Sequence, residues 1–176
     1  MNRMVTTSTS DVLEALIAEH SSGVYRYLRS LVGDEDTSCD LLHDTFLKLR
    51  NQADGAGKAL VYTVARNCAL DHLRRRRTRR NHELRVEQET LVLHPTKSRG
   101  RPDRELETKT LRRDLLEALG GLPEDQRTAF HLSEIEGLSY ADIAAVLDVS
   151  PGTIASRKHH AVRKLREAMR RRGHDR

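Results

Sequence analysis

Residues 138–165 combine cationic, hydroxyl and imidazole side chains with an apolar pattern of helical spacing. The stretch reads LSYADIAAVLDVSPGTIASRKHHAVRKL, and the pattern is interrupted at Asp148–Gly152. Ser150 is a suitable N-cap, and Pro151 fits the first position of a second helix because it has no N–H to satisfy. The basic and hydroxyl side chains that follow can hydrogen-bond phosphates and base edges. The spacing therefore predicts a helix-turn-helix whose second helix enters a major groove of DNA.

The second helix offers six candidate DNA contacts on its polar faces. They are Thr153, Ser156, Arg157, Lys158, His160 and Arg163. Arg157 and Lys158 are the first candidates for base edges, with Ser156 and His160 as further candidates. Thr153 and Arg163 are expected to contact phosphates, and the N-terminus of a helix also favours a phosphate. An ordinary pair of helices with a solvated charged face remains the structural alternative.

The charges of the 176-residue chain are unevenly distributed. The net charge is +5, from 31 Lys and Arg and 26 Asp and Glu. Seven arginines fall in Arg66–Arg80 and nine basic residues in Arg157–Arg176, whereas Asp34–Asp44 holds five acids and no base. Two separate basic patches predict two contacts on a polyanion, and the acidic patch predicts a basic protein partner.

Other classes of protein find little support in the sequence. No apolar run approaches the ~20 residues that span a bilayer, and the polar N-terminus lacks the apolar core of a signal peptide, so we expect a cytoplasmic protein with no membrane insertion. Cys39 and Cys68 cannot form a disulfide framework and show no C-x-x-C spacing. No clustered acid, base or metal ligands are visible, so we expect no enzyme activity, no metal and no cofactor.

Apolar residues recur at helical spacing along most of the chain, which predicts an all-α fold. The predicted helices before the helix-turn-helix are Asp11–Val32, Thr37–Arg50, Ala59–Arg80, Asp103–Leu119 and a segment over Pro123–Ile135. A glycine-rich break, NQADGAGK, separates the second and third helices. We expect two small helical domains, at 11–82 and 113–172, joined by a flexible linker at 83–112 that can include a partial helix at its start.

The order of these motifs resembles that of the sigma-70 family of bacterial RNA polymerase sigma factors. LPEDQRTAFHLSEIEGLSYADIAAVLDVSPGTIASRKHHAVRKLRE, at Leu122–Glu167, is similar to region 4 of the family, which reads the promoter −35 element. CDLLHDTFLKL, at Cys39–Leu49, resembles the polymerase-binding helix of region 2. YTVARNCALDHLRRRR, at Tyr62–Arg77, resembles the helix that meets the −10 element. The short tether and the chain length are similar to those of the extracytoplasmic-function (ECF) group.

The resemblance implies a transcription initiation factor and assigns roles to residues. Region 2 would bind and help to melt the −10 element, with DNA contacts at Tyr62, Arg66, Asn67, Arg74 and Arg75. Tyr62 is the stacking candidate nearest Leu60, and a place in the core is its alternative. The second helix would bind core polymerase through Asp40, His43, Asp44 and Lys48, which share one face at helical spacing. The implied partners are core RNA polymerase, through the coiled coil of its largest subunit and its flap, promoter DNA and an anti-sigma factor.

The sequence departs from the family pattern at two places, and two other classes of protein remain as alternatives. His43 and Asp44 replace the Gln and Glu that are common in the family, and Leu60 replaces a usual Trp, so we expect weak intrinsic DNA melting. Asp71 is expected to pair with a nearby arginine, since phosphates would repel it. A stand-alone helix-turn-helix repressor and a hydrolase or nuclease are the alternative classes, and the acidic helix and second basic patch disfavour the first.

Overall fold

The computed structural model describes residues 9–50, 52, 56–86 and 104–174, and all regular secondary structure in these ranges is helical. Seven helices follow in chain order: α1 (Thr9–Val32), α2 (Glu35–Leu49), α3 (Lys58–Val86), α4 (Arg104–Gly120), α5 (Glu124–Phe130), α6 (Tyr140–Leu147) and α7 (Pro151–Arg171). A π-helical turn at His131–Ile135 directly extends α5. The all-α class predicted from the sequence is confirmed.

Polar side chains begin the helices where the sequence predicts or permits a cap. Asp34 accepts a hydrogen bond from Thr37 N at 2.8 Å at the start of α2. Ser150 accepts one from Thr153 N at 3.3 Å at the start of α7, and Pro151 occupies the first turn, as predicted. Between α6 and α7 the backbone reverses at Asp148, which adopts a left-handed φ of 52° that Asp tolerates better than most residues. The turn between the two helices of the helix-turn-helix is thus fixed by local chemistry.

Parts of two sequence predictions lie outside the described residues. The glycine-rich break at 51–58 is described only at Gln52, Ala56, Gly57 and Lys58, where α3 begins. Most of the expected linker at 83–112 is also outside the described ranges. At its two ends the chain is helical, because α3 continues to Val86 and α4 begins at Arg104.

One apolar core joins the N-terminal helices α1–α3 to the C-terminal helices α5–α7. Its fully buried members include Tyr27 and Leu28 from α1, Val61 from α3, Leu132 from the π-helical turn and Ile143 from α6. A smaller core lies between α4 and α7 around Leu119, Ala161 and Leu165. The sequence did not predict that the two groups of helices would share a core in this way.

None of the described helices is long and apolar enough to cross a membrane. Of the two cysteines, Cys39 is exposed on α2 and Cys68 is buried in α3, as the sequence interpretation of two unconnected residues predicted. Within the described ranges, no group of His, Cys, Asp and Glu has the arrangement of a metal site.

Candidate nucleic-acid interface

The second helix of the helix-turn-helix, α7, has a buried apolar face and an open polar face. Ile154 and Ala161 are fully buried, and Ala144 of α6, 5% exposed, belongs to the same core as Ile154. On the other side, Ser156, His160 and Arg163 are exposed. The polar face is therefore free to approach a groove while the apolar face holds α7 against α6 and α5.

The two strongest candidates for base contacts in α7 are held by acids of the neighbouring segment. Arg157 lies 2.7 Å from Asp125 Oδ2 of α5, with its side chain 24% exposed. Lys158 pairs with Glu134 of the π-helical turn and also lies over the ring of Tyr140. The hydrogen bond to Glu134 raises the pKa of Lys158, so this side chain stays charged. Both cations are thus oriented by the C-terminal helices themselves.

The smaller polar contacts of α7 lie near its first turns. Ser150 and Thr153 hydroxyls are 2.9 Å apart, and Ser156 donates to the Gly152 carbonyl at 3.3 Å. Arg163 lies 3.3 Å from His160 Nδ1. These contacts are local to the helix, so they do not depend on the N-terminal helices.

The candidate contacts in α3 divide into two sets by exposure. Asn67, Arg74 and Arg75 are exposed, and Arg74 lies 3.5 Å from Asp71, which confirms the expected pairing of that acid. Tyr62 and Arg66, by contrast, face the C-terminal helices. Tyr62 is 1% exposed, so in this arrangement it cannot stack on a base.

Arg66 makes a two-pronged contact with an acid of α5. Its Nε and Nη2 donate to the two carboxylate oxygens of Glu124 at 2.8 and 2.9 Å. Glu124 also accepts a hydrogen bond from Thr128, whose hydroxyl oxygen lies 3.0 Å from the Tyr27 hydroxyl in the core. Burial alone would raise the pKa of Glu124, but the hydrogen bond from Arg66 lowers it, so the carboxyl remains ionised. The fork of an arginine on a carboxylate is the geometry that it otherwise offers to a phosphate.

Glu136, directly after the π-helical turn, is the most connected acid between the two groups of helices. Its carboxylate accepts hydrogen bonds from Tyr62 at 2.8 Å and Arg26 at 3.0 Å, and its backbone carbonyl accepts one from Lys58. His131 Nε2 lies 3.5 Å away. Burial favours the protonated acid, but the nearby His131 ring, the hydrogen bond from Tyr62 and the charge of Arg26 lower the pKa of Glu136 to about 2.

Arg127 of α5 binds carbonyl groups at the ends of two helices. Its Nη1 donates to Ser30 O at 2.7 Å and Leu31 O at 3.1 Å in the last turn of α1. Its Nη2 donates to Gly120 O at 3.0 Å and to Leu122 O at 2.8 Å, at and after the end of α4. Positive charge at the negative ends of helix dipoles is favourable, so Arg127 fixes α5 against both helices.

The candidate polymerase-binding residues lie together on the outer face of α2. Asp40, His43, Asp44 and Lys48 are all exposed, and Leu47 beside them is 54% exposed. The opposite face is anchored in the core by Leu41, Phe46 and Leu49, together with Thr45, which donates to Leu41 O at 2.7 Å. The exposed face of α2 lies apart from the contacts between the two groups of helices.

Sequence reasoning did not identify the residues that join the two groups of helices. Glu124 and Arg127 were read as parts of the helical segment over Pro123–Ile135, and Glu136, which directly follows that segment, was given no role of its own. One signal was visible: Gly23 interrupts an otherwise regular helical pattern in α1. A glycine inside a helix often marks a close approach of another group.

Two family models match the chain, one in each group of helices. Sigma-70 region 2 matches residues 16–79, and Sigma-70, region 4 matches residues 112–165. The helix-turn-helix of α6 and α7 lies in the second match, and α2 with the first part of α3 lies in the first. Fold and motifs together define a two-region transcription initiation factor.

Individual proteins with similar sequences and structures narrow this class further. The chain is 31% identical to the ECF RNA polymerase sigma factor SigE of Mycolicibacterium smegmatis over 88% of its own length and 60% of that protein. It is 30% identical to the ECF RNA polymerase sigma factor SigL of Mycobacterium tuberculosis, over 88% of this chain and 87% of that one. The structure is similar to the sigma factor RpoE in complex with the anti-sigma factor NepR from Bartonella quintana, with a TM-score of 0.69, 28% identity, and coverage of 89% and 96% of the two chains.

The chain belongs to the ECF group of the sigma-70 family of RNA polymerase sigma factors. Members of this family bind core RNA polymerase and direct it to promoters. The N-terminal helices α1–α3 are accordingly called region 2, and the C-terminal helices α4–α7 region 4.

Proposed function

We propose that region 4 reads the −35 element through α7 and that region 2 reads the −10 element through α3. The observation that carries this proposal is the polar outer face of α7, which is exposed at Ser156, His160 and Arg163 and oriented by a capped turn. Arg157 and Lys158 provide base contacts, and Thr153 and Arg163 bind phosphates. In region 2, Asn67, Arg74 and Arg75 are presented to the promoter, and Tyr62 and Arg66 join them when region 4 moves away.

Core polymerase binding is proposed for the exposed face of α2. Asp40, Asp44, His43 and Lys48 would meet the coiled coil of the largest polymerase subunit, and region 4 would meet the flap. Exposed acids that face a basic partner mainly govern orientation and association rate. Their position outside the contacts between the regions supports a polymerase contact that forms before any rearrangement.

The role is proposed to be non-enzymatic, cytoplasmic and controlled by an anti-sigma factor. The solved sigma factor that the chain resembles is bound to an anti-sigma factor, which supports a partner of the same kind here. The residues at 83–112 would form the tether between the regions within the polymerase. Two domains at 11–82 and 113–172 fit this division of labour.

Run-off transcription with purified core polymerase tests the proposal directly. The full chain should direct initiation from a subset of promoters in a genomic library that core enzyme alone does not use. It should also co-elute with core polymerase, which a stand-alone repressor would not do. Failure to direct any initiation would overturn the proposal, as would metal-dependent cleavage of the DNA in place of transcription.

A further inference from the structure

Three elements of region 4 meet at the ammonium group of Lys158 in α7. Glu134, from the π-helical turn, pairs with it, and the ring centroid of Tyr140, the first residue of α6, lies 5.4 Å from Lys158 Nζ. The Lys158 side chain is 26% exposed and that of Glu134 is 44% exposed. The pair is therefore partly open to solvent, and an acceptor on DNA can compete with Glu134 for the ammonium or join it there.

Other cations of α7 are held from within the helix. Arg171 pairs with Glu167, and Arg163 lies 3.3 Å from His160 Nδ1, in each case about one turn away along α7. Glu134, by contrast, reaches Lys158 from a different element. It therefore fixes the ammonium relative to the π-helical turn as well as to α7.

An acid beside a helix proposed to bind DNA has an electrostatic cost, because phosphates repel a carboxylate. A lysine without such a partner would instead pair with a phosphate and add affinity for DNA of any sequence. Its flexible stem lets the ammonium turn to whichever acceptor is nearest. Glu134 competes with the phosphates for this group, and its hydrogen bond raises the pKa of Lys158, so the ammonium stays charged while it is held.

A base edge requires a donor with a fixed direction. An ammonium has three N–H donors, and the pair with Glu134 uses one of them. The O6 and N7 atoms of guanine accept such donors in the major groove. A lysine that is already held by Glu134 and Tyr140 loses less side-chain entropy in this contact than a freely rotating one.

We propose that Glu134 is a positioning residue that determines specificity: it holds Lys158 beside Tyr140, keeps the ammonium from the phosphates and directs it to one base of the −35 element. This inference rests on the proposed function, because it assumes that α7 reads that element. Glu134 acts through Lys158 and does not itself contact DNA. Without its charge the ammonium turns to a phosphate, so DNA of any sequence binds more tightly and the preference at one base falls.

Four variants of the full chain separate this role from a simple change of charge. Glu134→Gln keeps the size of the side chain and removes its charge. Glu167→Gln is the matched control, since it removes the same charge from an exposed acid of α7 whose partner Arg171 lies in the same helix. Lys158→Met keeps the apolar stem and removes the ammonium. The double variant Glu134→Gln, Lys158→Met completes a double-mutant cycle.

The readout is competition between a promoter that the polymerase complex transcribes and single-base variants of its −35 element, at several salt concentrations. Glu134→Gln should reduce the discrimination at one base on the order of tenfold. It should also steepen the salt dependence by about one phosphate contact. Glu167→Gln should match the parent chain. Lys158→Met should lose the preference at the same base, and adding Glu134→Gln to it should have no further effect.

Equal discrimination by Glu134→Gln and Glu167→Gln would overturn the proposal, as would an intact base preference in Lys158→Met. An equal loss of affinity for all −35 sequences in Glu134→Gln would assign Glu134 a structural role only and would overturn it too. If Glu134→Gln loses helical circular dichroism, the preference of Lys158→Met decides. A parent complex with no −35 preference would reject the proposed function itself, whereas an intact parent preference that Glu134→Gln retains would reject this inference alone.

Discussion

The two basic helices proposed to bind promoter DNA, α3 and α7, are restrained in different ways. In α7, Arg157 and Lys158 are held by Asp125 and Glu134, acids of the same region. In α3, Arg66 and Tyr62 are held by acids of the other region. The restraint on α7 therefore comes from its own region, whereas the restraint on α3 requires contact between the regions.

Because of this difference, similar ion pairs have different consequences in the two helices. With the roles proposed above, a pair within one region would orient a side chain for DNA, as Asp125 would for Arg157. A pair between regions would keep a side chain from DNA, as Glu124 would for Arg66. The same chemistry would thus prepare one helix for DNA and cover part of the other.

The largest effect is expected from the packing that supports α7. Ile154 is fully buried against the shared core, so Ile154→Ala should lower the free energy of unfolding by about 3 kcal/mol through lost burial and a cavity. Urea unfolding of the full chain measures it. Ile135→Ala is the matched control, because Ile135 is 43% exposed, and it should cost less than about 1 kcal/mol. Equal losses for the two variants would contradict the packing described for α7.

The second effect concerns the pH dependence of stability that Glu136 contributes. The pKa of Glu136 is about 2 in the folded chain, below its ordinary value, so its ionised form stabilises the structure at pH above about 5. This contribution, up to about 3 kcal/mol, is lost as the pH falls from about 5 to 2. Arg26, Lys58, Tyr62 and His131 are the groups that face it. The difference in unfolding free energy between the parent chain and Glu136→Gln should therefore shrink over that range, and a difference independent of pH would exclude this role.

The third effect separates base contacts from phosphate contacts in α7. Arg157→Ala should weaken binding of the polymerase complex to its promoter by about 1–3 kcal/mol and relax the preference at one base of the −35 element. Arg163→Ala should weaken all sequences about equally and reduce the salt dependence. Competition with −35 variants measures both. An equal loss of affinity for all −35 sequences in Arg157→Ala would show that this side chain contacts a phosphate and not a base.

The smallest effect is expected for α2. Its exposed face takes no part in the ion pairs of Arg157 and Lys158 or in the contacts between the regions. Reversing charge at Asp40 and Asp44 to lysine should slow association with core polymerase several-fold at low salt, and the effect should fade at high salt. The double variant Glu14→Lys, Glu19→Lys, at two exposed positions of α1, is the control, because it changes the net charge by the same amount. Gly23→Ala should leave this rate unchanged, because a Cβ at position 23 meets Glu136 and Tyr62, whereas the α2 face is already exposed. Stopped-flow mixing with labelled core polymerase measures the rates, and slower association of Gly23→Ala would contradict the separation of the two surfaces.

The sequence predicts those parts of the fold that local patterns determine. The apolar spacing of α1 and α2, the cap at Ser150 and Pro151 at the start of α7 each follow from short-range rules, and the structure has them in place. The π-helical turn at His131–Ile135 was not predicted, because one extra residue in a turn leaves no clear trace in the pattern.

The contacts between regions could not be predicted from periodicity. Tyr62 was assigned to the −10 element, but the structure buries it against Glu136. Glu136 lies 74 positions away along the chain, and a periodic pattern gives no information on contacts at that separation. The exposed faces of α2 and α7 were predictable, since polar residues at helical spacing identify an outer face. Gly23 carried the one local trace of the contact between regions, but a glycine alone does not identify the group that fills its space.

The most direct test is the distance between spin labels on Glu14→Cys in α1 and Lys164→Cys in α7 of a Cys39→Ser chain, measured in the free chain and again in complex with core polymerase and promoter DNA. We expect a single short distance in the free chain and a single long one in the complex, with Tyr62 and Arg66 uncovered. A free chain that already has the long distance, or a complex that keeps the short one, would contradict it.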